Sequence, residues 1–308
     1  MSLAFLYAGQ GSQHPGMGAD LYEAYPVFQE VLDSADVDFD LKTVSFTDPD
    51  GVLNQTEYTQ PCMVAFAAGM TAILSQLGIT PDYAAGLSLG EYSALQAAGV
   101  FTPAQAISLA AFRGKAMASA CAGMACGMTA VLGLDREKLQ QACDQAADAG
   151  VVEIANYNCP GQLVIAGQKE ALDKASALAK ELGAKRCLPL KVSGPFHTSL
   201  LHPAGDALRE KFQSVTFGQM AFPVLFNCLG HEMGENDTIP ALLEKQVQSS
   251  VYMEDTIRRL EALGVDTIVE IGPGKALSGF VKKTAPSIKT YAVETCADIE
   301  ALSAALKG

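Results

Sequence analysis

Five consecutive apolar positions, Leu3-Ala4-Phe5-Leu6-Tyr7, lead straight into Gly9-Gln10-Gly11-Ser12-Gln13. An unbroken apolar run that ends at glycines is the pattern of a strand buried on both faces and closed by a tight turn. Residues 21 to 80 read as mostly helical, broken by a turn at Asp48-Pro49-Asp50-Gly51. From Gln60-Pro61 a long helix of small residues continues through Leu77 and stops at Gly78. Tyr83 to Leu87 predicts a second short strand, followed by a helical run from Tyr92 to Ala98. No charge occurs between Tyr92 and Phe112, but Thr102-Pro103-Ala104-Gln105 interrupts the stretch. Thr as cap, Pro at the first helical position and Gln three residues past the cap predict a helix start, so a buried helix pair is expected here and not a membrane span.

Between 128 and 193 the rhythm changes. Met128 to Leu134 predicts a strand and Asp135 to Ala149 a charged amphipathic helix. Val151 to Asn156 and Gln162 to Gly167 predict strands around the turn Asn158-Cys159-Pro160-Gly161, Lys169 to Leu182 a second helix and Arg186 to Val192 a last strand. The order β-α-β-β-α-β is ferredoxin-like. Glycine-containing seams near Gly127 and Gly194 bound it, giving a small subdomain of residues 128–193 inserted between residues 1–127 and 194–308. Beyond it come helices from about Pro203 to Gln213, Ile239 to Gln248 and Met253 to Leu263. Pro223 to Asn227 is strand-like, and a strand from Val265 to Ile271 ends in Gly272-Pro273-Gly274-Lys275.

Composition narrows the function classes. The chain has 308 residues, enough for one large domain or two, and a net charge of −13 makes a nucleic-acid partner improbable. Its eight cysteines, at 62, 121, 126, 143, 159, 187, 228 and 296, form no Cys-x-x-Cys pair and are expected to be reduced, as in a cytoplasmic protein. Met1 to Gly9 lacks the basic leader and the length of a signal peptide.

The candidate chemistry centres on Gly86-Leu87-Ser88-Leu89-Gly90-Glu91. A Gly-x-Ser-x-Gly turn between a strand and a helix is the form of a nucleophile elbow, although a close-packed small-residue turn has the same pattern. The glycines permit the tight backbone, and the helix start favours negative charge near the serine oxygen. Of the four histidines, 14, 197, 202 and 231, His197 is the best base candidate, because a Gly-Pro turn before a helix can aim its ring. His197 and His202 lie about 140° apart around a helix, and no zinc-protease spacing occurs, so no metal site is expected. Arg113 stands on a helix with few charges around it; it is either a structural ion pair or a bidentate clamp for a substrate carboxylate. Gly9-x-Gly11 lacks the third glycine of a dinucleotide loop, since His14 stands there. The loop after Ile271 lacks the Walker pattern at Val269 and Ala276.

Taken in order, Gly9-Gln10-Gly11-Ser12-Gln13, Gly86-x-Ser88-x-Gly90-Glu91, Arg113, Asn156-x-Asn158-x-Pro160-Gly161-Gln162, Phe196-His197, Gln246 and Gly272-Pro273-Gly274-Lys275 resemble the malonyl-CoA:acyl carrier protein transacylases over essentially the whole chain. The resemblance implies an α/β-hydrolase-like large domain interrupted by a ferredoxin-like small one. It implies that Ser88 takes the malonyl group as an ester, His197 is general base, and the N–H groups of Gln10 and Leu89 form the oxyanion hole. Arg113 would hold the malonyl carboxylate, a main-chain carbonyl near Gln246 would orient the histidine, and Asn158 would belong to the substrate-binding residues. Phe196 fits malonyl-selective members. The family usually has His where Leu87 stands, so no role of that histidine carries over.

No bound cofactor is implied, with malonyl-CoA as substrate and acyl carrier protein as transient partner. A monomer with no nucleic-acid or membrane partner is expected. Lys115, Lys185, Arg186, Lys282 and Lys283 could form a patch for an acidic carrier protein or be ordinary solvated surface. The competing readings are a serine esterase or thioesterase, an acyltransferase of polyketide assembly with another acyl preference, and a non-catalytic scaffold. The absence of an evident triad acid and of a His-Gly-Gly-Gly loop favours acyl transfer over hydrolysis.

Overall fold

The structure is a computed structural model that describes residues 1–307. Along the chain the strands are β1 (Leu3–Tyr7), β2 (Tyr83–Gly86), β3 (Cys126–Leu132), β4 (Val152–Cys159), β5 (Gln162–Gln168), β6 (Arg186–Pro189), β7 (Leu225–Phe226), β8 (His231–Glu232), β9 (Thr267–Ile271) and β10 (Lys289–Val293). The chain forms two compact units. The first takes in Met1–Lys115, Phe217–Leu225 and the residues from Arg258 onward, and the second Ala116–Thr216 and Phe226–Ile257.

The first unit is built on a parallel sheet of order β10-β9-β1-β2. All five residues of β1 are buried, which is why the run carries no polar alternation. Tyr7 pairs in register with Gly86 on one side and with Ile271 on the other. The chain leaves β1 toward β2 on one flank and β9 on the other, so the carboxyl end of β1 is a switch point, where open parallel sheets bind ligands. Three glycine-containing loops converge there, after β1, β2 and β9.

The loop after β9 has a purely internal anchor. Glu270 is fully buried, and its two carboxylate oxygens accept the N–H groups of Leu277 at 2.9 Å and Ser278 at 2.7 Å, at the start of the helix Ala276–Thr284. A phosphate loop would offer those N–H groups to a nucleotide; here a side chain already occupies the positive helix end.

In this unit the helix expected from Gln60 starts earlier, as Thr56–Gln76, with Pro61 inside it. Its start is tied to the preceding loop by Thr59 Oγ1, which bonds the carbonyls of Leu53 and Gln55. The Thr102–Gln105 cap forms as expected: Gln105 N–H donates to Thr102 Oγ1, and Thr102 N–H to Gln105 Oε1. It opens the helix Pro103–Cys121. β10 and the closing helix Cys296–Lys307 fall in a stretch that the hydrophobic pattern left unassigned; β10 alternates only weakly because it lies at the sheet edge.

The second unit contains an antiparallel sheet of order β4-β5-β3-β6, with the helices Arg136–Ala146 and Lys169–Glu181 packed against it. This is the ferredoxin-like β-α-β-β-α-β arrangement. Val131, Leu139, Ile154, Leu163, Ile165 and Leu172 form its core. Asp135 accepts from the Lys138 N–H and so begins the first of those helices, one residue later than its place in the hydrophobic pattern. β6 ends at Pro189, short of the expected Val192, with one further bond from the Leu190 N–H to the Met128 carbonyl at 2.9 Å. The fold class is α/β, a parallel α/β unit and a ferredoxin-like one.

Candidate active site

The elbow after β2 is enforced by contact. A Cβ on Gly86 would lie 2.0 Å from the Gly90 carbonyl carbon, and one on Gly90 would lie 2.4 Å from the Tyr7 carbonyl oxygen. Both obstacles are backbone, so neither can swing aside. Gly9 packs equally closely on the Leu87 carbonyl oxygen, and Leu87 N–H donates to Tyr7 O at 2.9 Å. The β1 loop and the elbow are therefore one packed structure. At its apex Ser88 has φ of 55°. Among the described non-glycine residues only Asp48, Ser88 and His197 have positive φ, and such strain, about 1–3 kcal/mol per residue, concentrates at functional positions. Asp48 is steadied there by accepting the Val52 and Leu53 N–H groups, and Asp and His adopt this conformation more readily than Ser, so Ser88 is the least expected of the three.

Beyond Ser88 the helix Gly90–Ala97 begins. The N–H groups of Gly90, Glu91 and Tyr92 donate to the carbonyls of Leu87, Ser88 and Leu89. Neither the Leu89 nor the Gln10 N–H has an acceptor among the described residues. Two backbone donors on the packed pair of loops are thus available for an oxyanion.

Arg113, on the helix Pro103–Cys121, is only 1% exposed. Its Nη2 donates to Ser88 Oγ at 3.2 Å and its Nη1 to Gln60 Oε1 at 2.7 Å, while the guanidinium carbon lies 5.6 Å from the Tyr92 ring centroid. Burial pushes the guanidinium below its ordinary pKa, and Tyr92 and Glu91 oppose that shift. With a pKa so high to begin with, the group remains a cation beside the serine. Lys115, two residues on, is exposed and ion-paired with Asp38 at 2.7 Å.

In the second unit His197 is 4% exposed with φ of 62°. Its Nδ1 lies 2.9 Å from the main-chain oxygen of Gln246. A carbonyl oxygen only accepts, so Nδ1 carries the proton and Nε2 is the basic nitrogen of the neutral ring. Gln246 belongs to the last turn of the helix Ile239–Val247, where carbonyls have no partner within the helix. That helix end is also partly negative, which favours positive charge on a ring placed there. A carbonyl thus holds the position that a carboxylate fills in a Ser-His-Asp triad.

Phe196 is buried beside His197. Gly194 makes the room: a Cβ there would lie 2.3 Å from Cys121 Sγ and 2.8 Å from the Phe196 ring. Asn158, on β4 next to an irregularity between Tyr157 and Cys159, is buried, and its Oδ1 has no hydrogen-bond partner among the described residues. An amide oxygen left without a donor is costly unless a ligand supplies one.

Ser88, Arg113, Gln10 and Leu89 thus share the first unit, and His197, Gln246, Phe196 and Asn158 the second. Gln60 was missed by reasoning from sequence. It lies among other polar residues at a helix start, Thr56, Glu57 and Thr59, so the residue types there did not single it out. Burial pushes the thiols of Cys62, Cys121 and Cys143 up to about 12, away from the thiolate form that a nucleophile needs. No cluster of metal-ligating side chains occurs among the described residues.

The model of the acyl transferase domain family matches residues 4–301. The malonyl CoA-acyl carrier protein transacylase of Bacillus subtilis (strain 168) is 42% identical over 308 residues, covering 99% of this chain and 97% of that protein. Among solved structures, the malonyl CoA-acyl carrier protein transacylase of Clostridium perfringens aligns with a TM-score of 0.96 at 38% identity, covering 100% of this chain and 98% of that one. A malonyl-transacylase in complex with its type II PKS acyl-carrier protein aligns with a TM-score of 0.95 at 36% identity, covering 99% and 100%. With a match that spans nearly every residue, a glycine-bracketed serine turn and a buried arginine at its serine, the chain belongs to the acyl transferase domain family, among the malonyl CoA-acyl carrier protein transacylases.

Proposed function

We propose that the chain moves a malonyl group from coenzyme A to the phosphopantetheine thiol of acyl carrier protein through an ester on Ser88. The reaction has two displacements. Ser88 Oγ attacks the thioester carbonyl while His197 Nε2 takes its proton, and the oxyanion is held by the N–H groups of Gln10 and Leu89. Each such donor is worth roughly 3–4 kcal/mol. On collapse the C–S bond breaks and the coenzyme A sulfur leaves with the proton from His197. The carrier thiol then gives its proton to His197 and attacks the ester, and Ser88 is regenerated as the leaving alkoxide is protonated. Arg113 binds the malonyl carboxylate throughout, Phe196 limits room at the α-carbon, and Asn158 Oδ1 accepts a donor from the acyl-carrying arm. No cofactor enters these steps.

One observation carries the reading: a buried guanidinium directs an N–H at the serine oxygen from 3.2 Å. A hydrolase of neutral esters gains nothing from a desolvated cation there, whereas a dicarboxylic acyl group repays its burial. The relative solved with a type II PKS carrier supports carrier-protein transfer, in fatty acid or polyketide assembly. We place the enzyme in the cytoplasm, for which eight cysteines outside any disulfide argue, and take it to act as a monomer; no described helix is long and apolar enough to cross a membrane.

Brief incubation with malonyl-CoA tests the proposal. A malonyl adduct is expected on the peptide containing Ser88, discharged by holo-carrier protein. Absence of the adduct, with free malonate released at the same rate with or without carrier, would establish a hydrolase instead.

A further inference from the structure

Arg113 and Gln10 are joined by a continuous hydrogen-bonded line inside the first unit. Arg113 Nη1 donates to Gln60 Oε1 at 2.7 Å, Gln60 Nε2 to Thr56 Oγ1 at 2.9 Å, and Thr56 Oγ1 to Gln10 Oε1 at 2.8 Å. Every donor points the same way, from the cation toward the β1 loop, so each bond polarises the next. Thr56 and Gln60 are one turn apart on the helix Thr56–Gln76, and both are buried. At Gly114, beside Arg113, a Cβ would lie 2.7 Å from the Thr56 carbonyl oxygen. The two helices therefore touch backbone to backbone, and the line has little freedom to slacken. The β1 loop has a second tie to the same segment, Gln13 Nε2 to Asn54 Oδ1 at 2.8 Å.

We infer that Gln60 and Thr56 are positioning residues: Gln60 aims the Arg113 guanidinium while leaving its charge to the acyl carboxylate, and Thr56 holds Gln10 so that its main-chain N–H faces the oxyanion. The inference rests on the reading of Arg113 as carboxylate clamp and Gln10 as oxyanion donor. The choice of residue at 60 has a physical reason. An amide oxygen satisfies Nη1 without neutralising it, whereas a carboxylate would form a closed ion pair and leave no net charge for the substrate. The common line also couples the two tasks, because the residue that selects the acyl group and the loop that carries the oxyanion donor are held by one set of hydrogen bonds.

Steady-state transfer to holo-carrier protein from malonyl-CoA and from acetyl-CoA tests this, with thermal denaturation of each variant alongside. Gln60→Glu is expected to cut the malonyl-over-acetyl preference in kcat/KM at least tenfold, and Gln60→Met to lower malonyl use with less effect on acetyl. Thr56→Val is expected to lower kcat about tenfold for both donors at little change in KM, and Thr56→Ser, which keeps the hydroxyl, to restore it. Arg113→Ala separates the two levels of argument. If it harms both donors equally, the clamp reading falls and takes this inference with it. If it is malonyl-selective while Gln60→Glu keeps the wild-type preference, or Thr56→Val keeps the wild-type kcat, the positioning roles alone are overturned.

Discussion

Replacing Arg113 by alanine removes a cation from a desolvated position next to the nucleophile. A carboxylate about 4 Å from a guanidinium at an effective dielectric near 20 is stabilised by about 4 kcal/mol, before hydrogen-bond geometry is counted. Truncating one partner of a buried charge pair costs about 2–5 kcal/mol, which agrees. At about 1.4 kcal/mol per tenfold, malonyl-CoA should lose about two to three orders of magnitude in kcat/KM. Acetyl-CoA has no carboxylate, and for it the variant loses the bond to Gln60 and, at the serine itself, only the bond to Ser88 Oγ at 3.2 Å. That bond is at the long end of the range, so the acetyl loss should stay within about tenfold. The assay is transfer of each labelled acyl group to holo-carrier protein, with single-turnover labelling of Ser88 followed by mass spectrometry. Equal losses for the two donors would refute the reasoning, because they would show the arginine acting on the serine or the fold and not on the acyl carboxylate.

Three other changes test the supporting structure. Gly90→Ala would push a methyl against the Tyr7 carbonyl oxygen at 2.4 Å, and the backbone must move; transfer should fall more than tenfold while the far-ultraviolet circular dichroism of the fold remains. Glu270→Gln leaves one of two buried backbone N–H groups without its charged acceptor, so a loss of about 2 kcal/mol is expected in denaturant unfolding, and an unchanged midpoint would rule out the capping role. His14 bonds the Pro15 carbonyl and Glu294, and both raise its pKa above the ordinary 6.5. A raised folded value means that its contribution is complete below that ordinary value and is lost as pH rises through the folded one, so His14→Ala should lower the melting temperature more at about pH 6 than at about pH 9.

What the sequence determined by itself was local. The apolar run of β1, the glycine-bracketed serine, the Thr102–Gln105 cap and the β-α-β-β-α-β rhythm are each specified within a few residues by sterics, burial and capping, and each forms. The residues themselves marked Ser88, His197 and Arg113 as candidates, and the resemblance added a main-chain carbonyl near Gln246, but neither placed the atoms involved. Those atoms depend on contacts between distant positions: Arg113 meets Gln60 across 53 residues, and His197 meets the Gln246 carbonyl across 49. A main-chain carbonyl carries no side-chain signature, so the orientation of His197 could not be read from the residue type at 246. Gln60 and Thr56 look like ordinary polar members of a helix start until Gly114 lets the arginine helix lie against them. Tertiary structure decided these because a hydrogen bond between buried groups exists only where two elements have already been brought into contact, and that contact is set by packing along the whole chain.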